Sequence, residues 1–296
     1  MTEKKSSKIL TAVFSNGILL ICTLLCIIPF LVVLSASFSD QSQIIAKGYN
    51  IFPRGFSLDA YRVTFANGEQ ILSAYAVTIS TTAVGAVLSV LTVALAAFPL
   101  SRRDYAWKPF FNFYFYFTMI FSGGAISSYL WITQGLHLKN NVLVLILPML
   151  VGATNVFLMR TYMAAISSEI IEAAKIDGAS EYKIFFTIII PMSTVGLATI
   201  FVMTSLNFWN QWYACLMYFS DDKYMTLQYY LIRVMNNLDS ILNSKYSMAA
   251  SIDTSKMPSE TARMAMCVVS AGPMIFVFAF FQKYFVGGIA LGSVKG

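Results

Sequence analysis

Charge is scarce in this chain. Of its 296 residues only 11% are Asp, Glu, Lys or Arg, against roughly 25% in a typical soluble domain, while 57% are hydrophobic. A soluble chain of this length has too much exterior to cover with so few charges, so a single soluble core is excluded. Histidine is nearly absent: His137 stands in a short loop with no partner in sequence. The four cysteines, Cys22, Cys26, Cys215 and Cys267, all fall in apolar stretches. Cys22 and Cys26 share a helix face by i, i+4 spacing, but no further ligand accompanies them, and they read as apolar filler rather than a metal site. There is no GxxxxGK[ST] phosphate loop, and the pair Gly123-Gly124 sits at an apolar stretch instead of between a strand and a helix. No carboxylate pair, and no nucleophile beside a base, occurs in the apolar stretches, so no catalytic residue is assigned. The net charge of +6 comes from basic residues scattered among loops, without the single stripe that nucleic acid requires.

What the chain does have is long apolar runs. Crossing a bilayer takes about 20 apolar residues per helix, because every backbone polar group must be satisfied within the segment. Six stretches qualify: residues 14–36, 74–100, 110–132, 142–163, 191–216 and 262–285. The expected fold class is an all-α integral membrane protein with six transmembrane helices. Lys4, Lys5 and Lys8 before the first stretch, and small residues after it, resemble a cleaved signal peptide. Its apolar part, 18–34, outruns the roughly 7–15 residues of such a segment, which favours an uncleaved anchor.

Lys and Arg in short loops set orientation. Lys4, Lys5 and Lys8, then Arg102, Arg103 and Lys108, then Arg160, Lys175 and Lys183 mark three cytoplasmic faces. The opposite connections balance their bases with Asp40, Asp59, Asp221, Asp222 and Asp253 and face outward. The expected plan is a cytoplasmic N-terminus (1–13), a six-helix domain (14–290) with a cytoplasmic segment at 164–190 and an external loop at 218–261, and a cytoplasmic tail (291–296). Both termini are expected inside. In the external loop, Asp221-Asp222-Lys223 marks a turn, and Leu227, Leu231, Val234 and Met235 have the spacing of an amphipathic helix.

The segment EAAKIDGASEYKIFFTIIIP, residues 172–191, interrupts this apolar pattern. Helical character is expected from Glu169 to Lys175, with Ser167 or Ser168 as N-cap, and Asp177-Gly178 breaks it. Ala173, Ala174 and Gly178 let another surface approach the backbone. Pro191 stands where the fifth apolar run begins, a place where a missing N–H is tolerated. Residues alone leave two readings open: a docking element for another protein, or an interfacial helix touching lipid headgroups.

The run E-A-A-K-I-D-G-A followed by I-I-I-P resembles the EAA motif of binding-protein-dependent ABC importer permeases. FPLSR at 98–102, FSGG at 121–124, WN at 209–210 and the ending FQKYFVGGIALGSVKG are similar to the carbohydrate branch of that family, of the LplC/YtcP type and related to the maltose-importer permease MalG. The likeness covers nearly the whole chain. ISSYL after FSGG, where IPTYL is common, and Gly287, where Lys or Ala is more usual, depart from the pattern.

The resemblance implies a type I ABC importer (MetI-like) permease fold in a bacterial cytoplasmic membrane. It implies a second homologous permease, two ATPases and an external or periplasmic sugar-binding (lipo)protein that delivers an oligosaccharide. This chain would bind no cofactor; ATP and Mg would sit on the ATPases. The EAA helix would couple to an ATPase through Glu172, Ala173, Ala174, Asp177, Gly178 and Pro191, with Glu172 facing a basic residue. Sugars need aromatic faces and fixed polar groups, which Asn207, Trp209, Asn210, Trp212 and Tyr213 offer, with Tyr116, Tyr129 and Trp131 as companions. Packing between helices is the other reading of these aromatics. The external loop would meet the sugar-binding protein. A secondary transporter is the alternative class; it would carry intramembrane ionisable groups and two related halves, and neither is evident.

Overall fold

The computed structural model of the chain describes residues 3–66, 68–221, 224–243 and 259–292. Among these, the only extended pairing is an isolated bridge between Ser39 and Phe56. Helix α1 (Glu3–Ser37) leads through α2 (Gln41–Lys47) and α3 (Asp59–Thr64) to α4 (Gly68–Ser101). Next come α5 (Lys108–Ile120) and α6 (Gly124–Leu130), which runs into a π-helical turn at Trp131–Gly135. Two 3-10 turns, Val142–Leu145 and Leu147–Met149, precede α7 (Ala153–Ala164) and α8 (Ser168–Ile176). After α9 (Glu181–Lys183) a second π turn, Ile184–Ile189, joins α10 (Ile190–Met192), α11 (Thr194–Trp209) and α12 (Tyr213–Tyr218). Helices α13 (Leu227–Asn243) and α14 (Ser259–Gly292) complete the described chain. Asp222, Lys223, Asp253, Lys295, residues 244–258 of the external loop and all but the first two residues of the tail lie outside the described residues.

Three of the expected spans are continuous helices, with apolar parts Phe14–Ser37, Gly68–Ser101 and Ser259–Gln282. The other three are bent pairs. The interval 110–132 is not one helix: Lys108–Ile120 and Gly124–Gly135 meet at 113°. Phe121 turns extended, and Gly124 takes φ +80°, a backbone that L side chains rarely adopt. At about 1.5 Å per residue, the 13 residues of α5 cover about 20 Å of a hydrocarbon core about 30 Å thick. Irregular backbone at such depth persists only where protein or a water-filled cavity surrounds it. The fourth span bends by 50° after Val142–Met149, and the fifth by 80° between Glu181–Met192 and Thr194–Trp209. Pro191 cannot supply a ladder hydrogen bond, and the π turn before it shifts the pairing, so that the Ile190 N–H donates to the Phe185 carbonyl. The interval 191–216 is therefore split twice, since the helix also stops at Trp209 before α12.

The chain forms two compact units, Met1–Gly68 with Leu231–Gly272 and Glu69–Tyr230 with Pro273–Gly296. In the first, Phe38 stacks on Phe56 and packs at a tilt against Tyr61, closing the loop after α1. Gln41 there accepts the Thr261 N–H at 3.0 Å, satisfying an orphan donor in the first turn of α14. In the second unit, α4 buries Ala74, Thr78, Thr81, Gly85, Ser89, Val93, Ala97 and Leu100 on one face, spaced by three or four. Such a stripe of small residues lets helices approach closely. An added Cβ at Gly85 would meet the Phe208 ring of α11 at 2.7 Å. The lower core joins Val93, Ala97 and Leu100 of α4 to Val156, Met159 and Met163 of α7, Ile171 and Ala174 of α8, and Ile184, Phe185 and Ile189 of the π turn.

Candidate functional site

Helix α8 is built by its ends. The Ser167 side chain accepts the Glu169 N–H at its start, and Glu169 in the first turn suits the helix dipole. At its end the Gly178 N–H donates to the Lys175 carbonyl at 3.0 Å and the Ala179 N–H to the Ala174 carbonyl at 2.9 Å. This is a Schellman turn, with Asp177 as C-cap and Gly178 at φ +75° supplying its left-handed residue. Gly178 thus has a conformational reason that spacing alone did not reveal. Nothing lies within 4 Å of a Cβ built on it, so the space above this turn is open.

The two faces of α8 differ. Ile171 and Ala174 are buried in the core shared with α4 and α7. Glu172, Ala173, Ile176, Asp177 and Gly178 are exposed, and Ile176 (87% accessible) and Tyr182 (78%) are among the barest large apolar side chains of the described residues. Glu172 makes no ion pair among the described residues. Ala173 and Ala174 therefore separate: Ala173 belongs to the open face and Ala174 to the buried one. Pro191 lies beyond the π turn, away from that face in the chain.

Beside α8 lies a ring of four charges drawn from three separate stretches of the sequence. Arg102 holds Asp104 through two bonds, 3.1 Å from Nε and 2.9 Å from Nη2. Lys175 reaches Asp104 at 3.1 Å and Glu181 at 3.0 Å, and Glu181 lies 3.6 Å from Arg102. The Arg102 guanidinium, and after it Lys175, keep the Asp104 carboxyl well below the usual carboxylate range. Glu181, and after it Asp104, push the Lys175 ammonium upward. A cavity of about 400 Å³ lined by Phe98, Arg102, Tyr105, Tyr182 and Phe185 adjoins the ring. A second, of about 490 Å³, shares Arg102 and Asp104 with it and runs along Arg103, Ser167, Glu172 and Lys175.

The aromatic candidates divide. Asn210, Trp212 and Tyr213 line one cavity of about 310 Å³ together with Ile132, Pro148 and Tyr218. Gln211, inside the run from Asn207 to Tyr213, lines it too, and its Oε1 is buried without a hydrogen-bond partner among the described residues. Asn210 accepts from Gln228 at 3.3 Å. Tyr129 joins this wall through Tyr218, on which it stacks at 5.9 Å. Trp209 faces elsewhere: only 4% accessible, it lines an apolar cavity of about 460 Å³ with Phe201, Met274 and Phe281. Asn207, Tyr116 and Trp131 are exposed on α11, on α5 and at the π turn after α6, and line none of these cavities.

The pattern of the binding-protein-dependent transport system inner membrane component matches residues 9–290. The polygalacturonan/rhamnogalacturonan transport system permease protein YtcP of Bacillus subtilis (strain 168) is 34% identical over 95% of this chain and 96% of its own. Protein LplC of the same organism is 31% identical over 91% of this chain and 90% of its own. A chain from the crystal structure of a bacterial ABC transporter involved in the import of the acidic polysaccharide alginate superposes with a TM-score of 0.75 at 28% identity, covering 94% of this chain and 98% of that one.

Proposed function

Since the chain belongs to the family of binding-protein-dependent transport system inner membrane components, we propose that it is the permease subunit of an ATP-driven importer of oligosaccharides. Its fold is that of MetI-like ABC importer permeases, with six spans when each bent pair counts as one. The chain is a multi-pass membrane protein and forms half of the path, with a second permease as the other half. Two separate ATPases supply ATP hydrolysis with Mg, and an external sugar-binding protein delivers the substrate. Both termini face the cytoplasm.

The coupling element is α8 with its Schellman turn. One observation carries this: a nine-residue helix is anchored to the span core by Ile171 and Ala174 while Glu172, Ala173, Asp177 and Gly178 remain open to a partner. Ala173 and Gly178 allow close seating, and Glu172 meets a basic residue of the ATPase. Ala174 and Pro191 serve this element from behind, through packing and the bend into the fifth span. Rigid-body movement of packed helices then converts ATPase closure into opening of the path. Asn210, Gln211, Trp212 and Tyr213 are the polar and aromatic groups offered to the sugar.

The test is uptake in proteoliposomes that hold this chain, its partner permease and the ATPases, given binding protein and a panel of labelled neutral and acidic oligosaccharides. Uptake of at least one sugar should require internal ATP and binding protein, and should survive a protonophore when ATP is clamped. Uptake abolished by protonophore at clamped ATP would make the chain an ion-driven transporter instead.

A further inference from the structure

We propose that the ring Arg102–Asp104–Lys175–Glu181 is a strap that fixes the coupling helix to the end of the second span, with Arg102 as its positioning residue. The inference rests on the coupling role of α8. Apolar packing attaches α8 through Ile171 and Ala174, one line of contact about which a short helix can pivot. The ring adds a polar attachment beside the apolar one, through Lys175 in the last turn and Glu181 just beyond the Schellman turn. Packing holds the helix against the core, and the ring fixes its direction by tying it to charges on two other chain segments.

The fixed end is Arg102. Its side chain is 11% accessible, it grips Asp104 with two nitrogens, and it lies 5.7 Å over the Phe98 ring. Its carbonyl accepts from Lys108 at 2.9 Å, which ties the start of α5 to the same point. Around the ring every neighbour has the opposite sign, so each carboxylate serves two cations. Both cavities beside the ring are lined by Arg102 and Asp104, so the ring stands at their shared wall.

Stability does not account for it. The side chains of Asp104, Lys175 and Glu181 are 58%, 38% and 54% accessible, and pairs so exposed to water contribute little to stability. Alternating charges over three chain segments instead fix geometry, since a displacement of α8 strains the pairs of Lys175 to both Asp104 and Glu181.

The experiment uses the assembled transporter, with this chain's four cysteines replaced and spin labels at Leu91 on α4 and Glu169 on α8. Their distance is measured without nucleotide and after trapping with ATP, Mg and vanadate. The strap predicts one narrow distance common to both states. Arg102→Gln and Glu181→Gln should broaden it, and the trapped state should then differ, while the ATPases still copurify. A short bifunctional thiol reagent between cysteines at positions 104 and 175 should restore stimulation of ATP hydrolysis by the binding protein in a chain without the ring. A wild-type distance that changes on trapping, a distance that stays narrow in both variants, or loss of the ATPases from the variants would overturn the strap. Loss of ATPase binding in Glu172→Lys tests the coupling reading separately, because Glu172 takes no part in the ring.

Discussion

Gly178 shows how one residue can answer to two demands. Its φ of +75° closes the turn, and its missing side chain leaves open space above it. A left-handed backbone costs an ordinary residue roughly 1–2 kcal/mol, and Asn visits that region most readily after Gly. Gly178→Ala should therefore lower the unfolding free energy by about that amount, with Gly178→Asn closer to wild type, in thermal melts of the detergent complex; equal melts for wild type and Gly178→Ala would show that the turn bears no strain. The charges beside it set a pH window. Asp104, depressed in the fold, stabilises above its unfolded pKa of about 3.9, and this is lost only as pH falls through its lower folded value. Lys175, raised in the fold, stabilises below about 10.4, and this is lost as pH rises through its higher folded value. The α4–α8 label distance should then hold from about pH 5 to about pH 9. A shift near pH 6 would mean that some other titrating group controls it. Sequence named Gly178 and Glu172 through a motif, but not Asp104 and Glu181, because a ring closed by folding between residues 77 positions apart leaves no local pattern.

At the scale of elements, hydropathy marks the apolar runs but not where their helices break. In lipid both faces of a helix are apolar, so periodicity does not mark the buried side. On α4 it is small residues that do so, from Ala74 through Gly85 to Ala97. Gly85→Leu should force the Phe208 ring aside and cost about 1–3 kcal/mol, seen as a loss of monodisperse protein in detergent; unchanged recovery would mean that α4 and α11 separate freely. The break in the third span falls within FSGG, which carries the family likeness and, at Gly124, the left-handed turn. The end of α11 had no such mark, since no Gly or Pro interrupts Asn207 to Tyr213. That ending divides the aromatic run: Trp209 is buried while Asn210, Gln211 and Trp212 line the cavity. Trp209→Ala should accordingly destabilise the complex, by about 3–5 kcal/mol as for large core aromatics. Asn210→Ala and Gln211→Ala should spare assembly and reduce uptake. Normal uptake in both would remove this cavity from the sugar's route.

For the whole molecule, scarcity of charge established the membrane class, and the placing of Lys and Arg gave an orientation. Cysteines introduced at Ser6 and Ser293 should resist an impermeant thiol reagent in intact cells, while one at Ser255 should react; labelling of Ser6 but not Ser255 would invert the topology. The path itself needs a second permease, and no single chain could reveal it. The central claim is that α8 seats an ATPase, and copurification of the ATPases with the permeases in detergent tests it most directly. Overpacking a close contact costs about 1–3 kcal/mol, a loss of roughly 5- to 150-fold in association. Gly178→Asn, which keeps the turn but fills the space above it, and Glu172→Lys, which opposes a basic partner, should both release the ATPases from an otherwise folded complex. An acidic replacement of the facing ATPase residue should restore binding to Glu172→Lys. Full recovery of the ATPases with both single variants would contradict the coupling role of α8.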